Sequence, residues 1–384
     1  MNSDQSIDRL WTLFQQVIAL DTSPGEGHHR VASDDPRLSA FIDKIARPEL
    51  ENLGASTTTD SMGNLIATFG DRTGDELLLI AYPATHHGNK MADPLHARVV
   101  VVDDHNYWAG QGASEGKGPF VSLIDALARS RQDGIELGGR VIVAVSTEGS
   151  STNDSSTVMF DEMSQLPAAA ALIIGTENKI ALGHRGRADI IVTTTGIARH
   201  SSVSAGLPNL IADICEAQQR VVSFADRWTA GSPEGGLRSI TPYRLVCGPV
   251  APHTMPERCE LALDCRFLPG DDVLQLRDHI ASAINDDQVE VKLGPVMLPA
   301  ETDATSRLVA RFIEAAQSAG TAATTFTPPW TFDAGAASIR GIPVILFGPS
   351  SNNLGAIDAT DAVDAEMLTQ ASAILSNVIS SWTS

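Results

Sequence analysis

Residues 76–84 read ELLLIAYPA, a continuous apolar run closed by Pro83. A strand covered on both faces needs no polar alternation, so an unbroken run of this kind marks a buried parallel strand. Three other stretches have the same character: GGRVIVAVS at 138–146, AAALIIGT at 169–176 and GIPVILFGP at 341–349. Helical patterns lie among them, PFVSLIDALARSRQ at 119–132 and SSTVMFDEMSQL at 155–166. Strand, loop, helix and strand in this rhythm give an α/β domain with a mostly parallel sheet flanked by helices. Ligands bind at the carboxyl ends of such strands, so chemistry is sought just beyond each run.

Between residues 187 and 297 the pattern changes. ADIIVTTTG (188–196) and QVEVKLG (288–294) read as strands, and RCELALDCRFLP (258–269) keeps a period of two. LIADICEAQQRVVSFADRW (210–228) and DDVLQLRDHIASAI (271–284) read as helices. This order fits an antiparallel sheet backed by two helices, an α+β insertion. The expected organisation is a first domain in two parts, 1–186 and 298–384, with an inserted lid or dimerisation domain at 187–297.

Composition narrows the class of partner. The chain carries 47 acidic and 27 basic residues, a net charge of −20. Such a surface repels phosphate backbones and anionic lipid, so no nucleic-acid or membrane partner is expected. No run of about 18 apolar residues exists to span a bilayer. Ile7, Leu10, Trp11, Phe14, Val17 and Ile18 step at helical spacing, which predicts an amphipathic opening helix rather than a signal peptide. Cys215, Cys247, Cys259 and Cys265 form no CxxC pair, and free thiols in a reducing compartment are expected; the localisation expected is cytoplasmic.

Four segments carry a resemblance. GIARHSSVSAGLPNLI (196–211) resembles the G-x-x-x-H-S-x-x-x-x-G-x-N-A-I signature of the aminoacylase, glutamate carboxypeptidase and succinyl-diaminopimelate desuccinylase family. APHTMPERCELALDCRFLPG (251–270) is similar to its N-x-x-P…D-x-R-x-x-P-G segment, and WAGQGASEGKG (108–118) to its G-R-G-x-x-D-x-K-G loop. IPVILFGPSSNNLGAIDATDAV (342–363) is similar to its I-P-x-x-x-F-G-P-G…A-H-T-x-x-E-x-V tail. The resemblance implies a metallohydrolase with a discontinuous α/β domain and an inserted lid that pairs two subunits. It implies cleavage of amide bonds in small N-acyl amino acids or peptides, typically with two zinc ions held by two histidines and three carboxylates.

The ligand positions depart from that pattern. Where the family has H-x-D, this chain has Tyr82-Pro83-Ala84; the bridging aspartate position carries Glu115. The paired glutamates fall on Thr147-Glu148 or Glu148-Gly149, the next carboxylate on Thr176 or Glu177, and the last histidine on Ile357. An isoleucine cannot ligate, and a phenol of pKa about 10 must lose its proton to do so. Glu115, Glu148 and Glu177, with His86 or His87 recruited from the following loop, are the metal candidates that remain. Oxygen donors suit magnesium, calcium or manganese better than zinc, so at most one divalent ion is expected and a dinuclear zinc centre is not. Glu148 is the candidate base, Tyr82 a candidate acid, and His200 a candidate donor to the scissile carbonyl. Arg266, His253 and Asn209 are candidate substrate contacts, Arg266 because a planar guanidinium suits a carboxylate. Lys117 and Asp333 also match family positions. The expected activity is an altered amide hydrolase for a small carboxylate-bearing substrate, working as a homodimer through 187–297. The alternative is an inactive homologue that binds a related ligand or has a structural role.

Overall fold

The computed structural model describes residues 3–25, 31–86, 91–135, 137, 140–148, 152–232, 238–351 and 361–383. The chain divides into two compact units. The first comprises Met1–His184, Ala300–Pro328 and Phe332–Ser384; the second comprises Arg185–Pro299 with the short return Pro329–Thr331.

The first unit is built on an eight-stranded sheet. Its strands in chain order are β1 (Ser56–Thr59), β2 (Leu65–Thr68) and β3 (Leu77–Ala81), then, beyond a separate β4 (Arg98–Val102) and β5 (His105–Ala109), β6 (Val141–Val145), β7 (Ala169–Ile173) and β8 (Ile180–Ala181). After the second unit come two further members, Thr325–Phe326 and Val344–Phe347. β3 lies at the centre with β6 and β7 parallel on either side, and Val344–Phe347 runs parallel to β7 beyond it. Every residue of β3, β6 and β7 is buried, as their unbroken apolar runs require.

Helices supply the cover. Ser3–Ile18 (α1) buries Leu10, Leu13, Phe14, Val17 and Ile18, while Ile7 stays 45% exposed. Trp11 meets Trp108 edge-on at 5.0 Å, which ties α1 to β5. Gly118–Gln132 (α2) is buried along nearly its whole length, polar residues included. Its Asp125 Oδ2 accepts from Arg129 Nε at 2.6 Å and from the Ser372 hydroxyl of the closing helix Ala365–Thr383, so that buried oxygen is partnered. None of the helices among the described residues is long and apolar enough to cross a membrane.

The second unit is a four-stranded antiparallel sheet, in the order Ser239–Gly248, Arg258–Phe267, Gly186–Thr195, Val289–Met297. Alternation in these strands sends Ala188, Ile190, Val192, Leu261, Leu263 and Cys265 to one face. There they pack on Ile214, Ala217 and Val221 of the helix Leu210–Ala230 and on Leu276, Ile280 and Ile284 of Val273–Ile284. Asn209 Oδ1 caps the first helix by accepting from the Ile211 amide at 3.1 Å, and Asp272 caps the second.

The cysteines depart from the expectation of free thiols throughout. Cys247 and Cys259 sit directly opposite on neighbouring strands and form a disulfide; Cys215 and Cys265 remain free. A cross-strand pair of this kind depends on register, which spacing along the chain does not disclose.

Candidate active site

Chemistry-bearing side chains of the first unit gather beyond the carboxyl ends of β3 and β6. The Thr22 hydroxyl donates to Pro83 O at 2.5 Å and pins the turn after β3. Immediately before it, Tyr82 is buried, and its hydroxyl donates to Asp333 Oδ1 at 2.6 Å. The Phe332 ring meets Tyr82 edge-on at 4.8 Å. Burial, then the neighbouring Asp333 carboxyl, hold the phenol well above its ordinary pKa. Its proton is therefore committed to Asp333, which corrects the expectation of Tyr82 as an acid for a leaving group. Asp333 is itself pushed up to about 8, by burial first and by Glu148 in the same direction, against the Tyr82 hydrogen bond and the nearby Ser156 hydroxyl, which pull it down.

Glu148 ends the β6 segment as a buried carboxylate. A bed of hydroxyls underlies it. Asn64 Oδ1 accepts from the Thr147 amide at 2.9 Å and from the Ser155 hydroxyl at 2.5 Å, and Ser146 and Ser155 Oγ lie 3.1 Å apart. Thr147 is consumed by Asn64, and Glu148 is the carboxylate described at this strand end. Glu148 Oε2 accepts from the Ser155 amide at 3.4 Å, in the first turn of the helix Asp154–Glu162, where the positive end of the helix favours an anion.

Glu115 stands on a π-helical turn, Ala113–Lys117. Asp361, which sequence reasoning passed over, clamps that turn by accepting from the Gly112 and Ser114 amides at 2.5 and 2.8 Å and from the Ser114 hydroxyl at 2.7 Å. Gly116 lets the turn pack against the end of β3, since a Cβ there would stand 2.5 Å from Tyr82 O. The Glu115 carboxyl accepts from the His86 amide at 3.1 Å and lies 3.3 Å from His86 Nε2. Burial raises its pKa, His86 and Lys117 pull it back, and Asp361 adds to the rise. Lys117 is fully buried, donates to Leu20 O at 2.6 Å, and is brought down to about 8 by that burial.

The remaining metal candidate does not join this group. Glu177 adopts a left-handed backbone (φ 59°) and pairs with Lys179 Nζ at 2.6 Å. The preceding Thr176 is spent on Lys179 O and on the Gly348 amide. Among the described residues no three of His, Cys, Asp and Glu come together as metal ligands, which corrects the expected Glu115–Glu148–Glu177–His86 cluster. His28, His29, His87, Gly149 and Ile357 lie outside the described residues. Among the described residues the two-zinc set implied by the resemblance is not matched: Tyr82 is bonded to Asp333, and Glu177 to Lys179.

In the second unit His200 and His253 approach with ring centroids 5.9 Å apart, brought together where Arg199–His200 pairs with Thr254–Met255. His200 Nδ1 accepts from the Ser202 amide at 3.2 Å, so a neutral ring carries its proton on Nε2. His253 holds a left-handed backbone (φ 56°), uncommon outside glycine. Arg266 donates from Nε and Nη2 to Asp264 at 2.6 and 2.8 Å, and from Nη1 to Thr331 at 2.8 Å. Its fork is held rigidly, and two of its five N–H groups remain for a ligand. The side-chain oxygen of Asn209 is used as a helix cap, which leaves its amide nitrogen as the group that could meet a ligand.

Comparison with known proteins agrees with this architecture. A di-peptidase from Saccharomyces cerevisiae shares the fold at a TM-score of 0.77 and 12% identity, with 99% of this chain and 97% of that chain covered. A tripeptidase from Staphylococcus aureus does so at 0.74 and 14%, with 98% of each chain covered. A peptidase M20 domain-containing protein of Sordaria macrospora is 25% identical over 224 residues, 53% of this chain and 49% of the relative. The chain spans about half the length of the curated relatives it matches. The sequence pattern of Peptidase family M20/M25/M40 matches residues 87–381, most of the chain, and this protein therefore belongs to that family.

Proposed function

We propose that this chain is an amide-bond hydrolase for small N-acyl amino acids or peptides with a free carboxylate, working through an altered centre in place of the two-zinc one. The observation that carries the reading is Glu148, a buried carboxylate held at a helix N-terminus beyond the end of a central parallel strand. As base, Glu148 takes a proton from water while the water oxygen adds to the amide carbonyl. Collapse of that adduct breaks the C–N bond, and the proton passes to the departing amine. The fold relatives named as a di-peptidase and a tripeptidase support the substrate class.

Recognition is assigned within the second unit. Arg266 has two N–H groups to offer a carboxylate, and His200 offers Nε2–H to a carbonyl oxygen. Arg266→Ala should weaken carboxylate ligands about tenfold or more, the worth of one charge-assisted hydrogen bond. Arg266→Lys should recover little of the loss, because an ammonium cannot hold the Asp264 fork and a ligand together. Calorimetry giving equal affinity in wild type and Arg266→Ala would remove Arg266 from this role.

We propose in addition that two copies pair through the second unit. Its strand Ser239–Gly248 lies at the sheet edge among the described residues and exposes Tyr243, Leu245 and Val246, each nearly half accessible. Light scattering at micromolar concentration should give a dimer, and a clean monomer would count against the pairing.

The hydrolase reading is tested by amine release from a panel of N-acyl amino acids and short peptides, before and after chelator treatment. Turnover that survives removal of zinc is the expected result. A ligand-binding homologue without turnover is the second reading, favoured by the Tyr82–Asp333 hydrogen bond. Binding with no amine release under either condition would establish that second reading in place of the first.

A further inference from the structure

Tyr82 occupies the carboxyl end of the central strand β3 as a proton donor. The hydroxyl and its acceptor Asp333 are both buried, 1% and 2% exposed, and stand 2.6 Å apart. Phe332 closes one side of the phenol ring. Asp333 Oδ2 is buried as well, and no described group meets it with hydrogen-bond geometry. An ionised carboxylate with an unmet oxygen in such a setting is costly, and a neutral carboxyl beside a neutral phenol costs much less.

We infer that Tyr82 and Asp333 form a neutral, hydrogen-bonded pair that excludes divalent cations from the end of β3, so that a proton is held there in place of a metal ion. To bind a cation, Tyr82 would have to give up the proton it shares with Asp333, and both oxygens would have to become charged away from water. Two independent observations point the same way. The hydrogen bond is short and shielded by Phe332, and no three potential ligands meet among the described residues.

The test uses the full-length chain, titrated with zinc and separately with manganese near neutral pH while near-ultraviolet absorbance is followed. A cation held by Tyr82 displaces the phenolic proton and raises a tyrosinate band, with Tyr107 and Tyr243 as the only other phenols in the sequence. No such band is expected. Metal retained after dialysis should be the same in wild type, Tyr82→Phe and Asp333→Asn, because an ion held elsewhere is held in all three. A band that Tyr82→Phe abolishes, or metal content that falls tenfold in Asp333→Asn, overturns the inference. Should Asp333→Asn not fold, the wild-type absorbance titration decides alone. The inference stands apart from the hydrolase reading. Failure of every substrate leaves it intact, and a tyrosinate band removes it whether or not substrates turn over.

Discussion

Glu148→Gln should lower amide hydrolysis by about 10²–10⁴-fold, the usual contribution of a positioned base. The substitution keeps the shape of the side chain and an oxygen able to accept from the Ser155 amide, so the hydroxyl bed of Asn64, Thr147 and Ser155 has no reason to rearrange. What it removes is the lone-pair basicity that takes a proton from water. The loss should therefore fall on kcat, with KM little changed and the melting temperature close to wild type. Glu115→Gln is the comparison, since Glu115 faces His86 and lies over a turn clamped by Asp361. A Glu148→Gln enzyme with wild-type kcat, folded and pure, would dismiss Glu148 as the base.

Asp333→Asn should stabilise the protein at neutral pH and flatten its pH dependence. The sign follows from proton counting. The folded carboxyl titrates at about 8, whereas an ordinary carboxyl titrates at 3.8. Between those values the folded chain holds a proton that the unfolded chain has released, so stability falls as pH rises, by up to about 1.4 kcal/mol per pH unit. Below the lower value the stabilisation is fully present; above the higher value it is gone. An amide cannot titrate, and its carbonyl accepts from Tyr82 in the same geometry. Urea unfolding of both proteins at steps from pH 5 to pH 9 should give curves that diverge with rising pH, the variant being the more stable by several kcal/mol near neutrality. Parallel curves would show that Asp333 carries no proton in the folded state.

The parts of the fold legible in the sequence were those where one physical demand fixes the residues. β3, β6, β7 and Val344–Phe347 are buried on both faces, and continuous apolar runs follow directly. The helix Leu210–Ala230 shows its amphipathic stripe in the same direct way. The site was less legible because its decisive contacts join residues far apart in the chain. Nothing local to Tyr82 announces Asp333, 251 positions on, and nothing local to Ser114 announces Asp361. Glu177 misleads for a different reason. It matches a carboxylate position by count, but the left-handed turn at Glu177 and Asn178 delivers its oxygen to Lys179. The Cys247–Cys259 bond needed the register of two strands, one of them bulged between Pro242 and Arg244.

The interrupted first unit has a consequence for how the chain is made. Ala170 of β7 pairs with Val344, and the whole of the second unit is translated between the two. A ribosome therefore releases β3, β6 and β7 with one edge of their sheet open, while the almost continuous segment Arg185–Pro299 emerges with all four of its own strands. The later-made segment is then positioned to fold before the earlier-made one is complete, a reversal of the usual amino-to-carboxyl order. Until Phe347 has left the exit tunnel, the unpaired backbone of Ala169–Ile173 is a strand edge available to any neighbour, and a chaperone that shields such edges would be needed most in that interval.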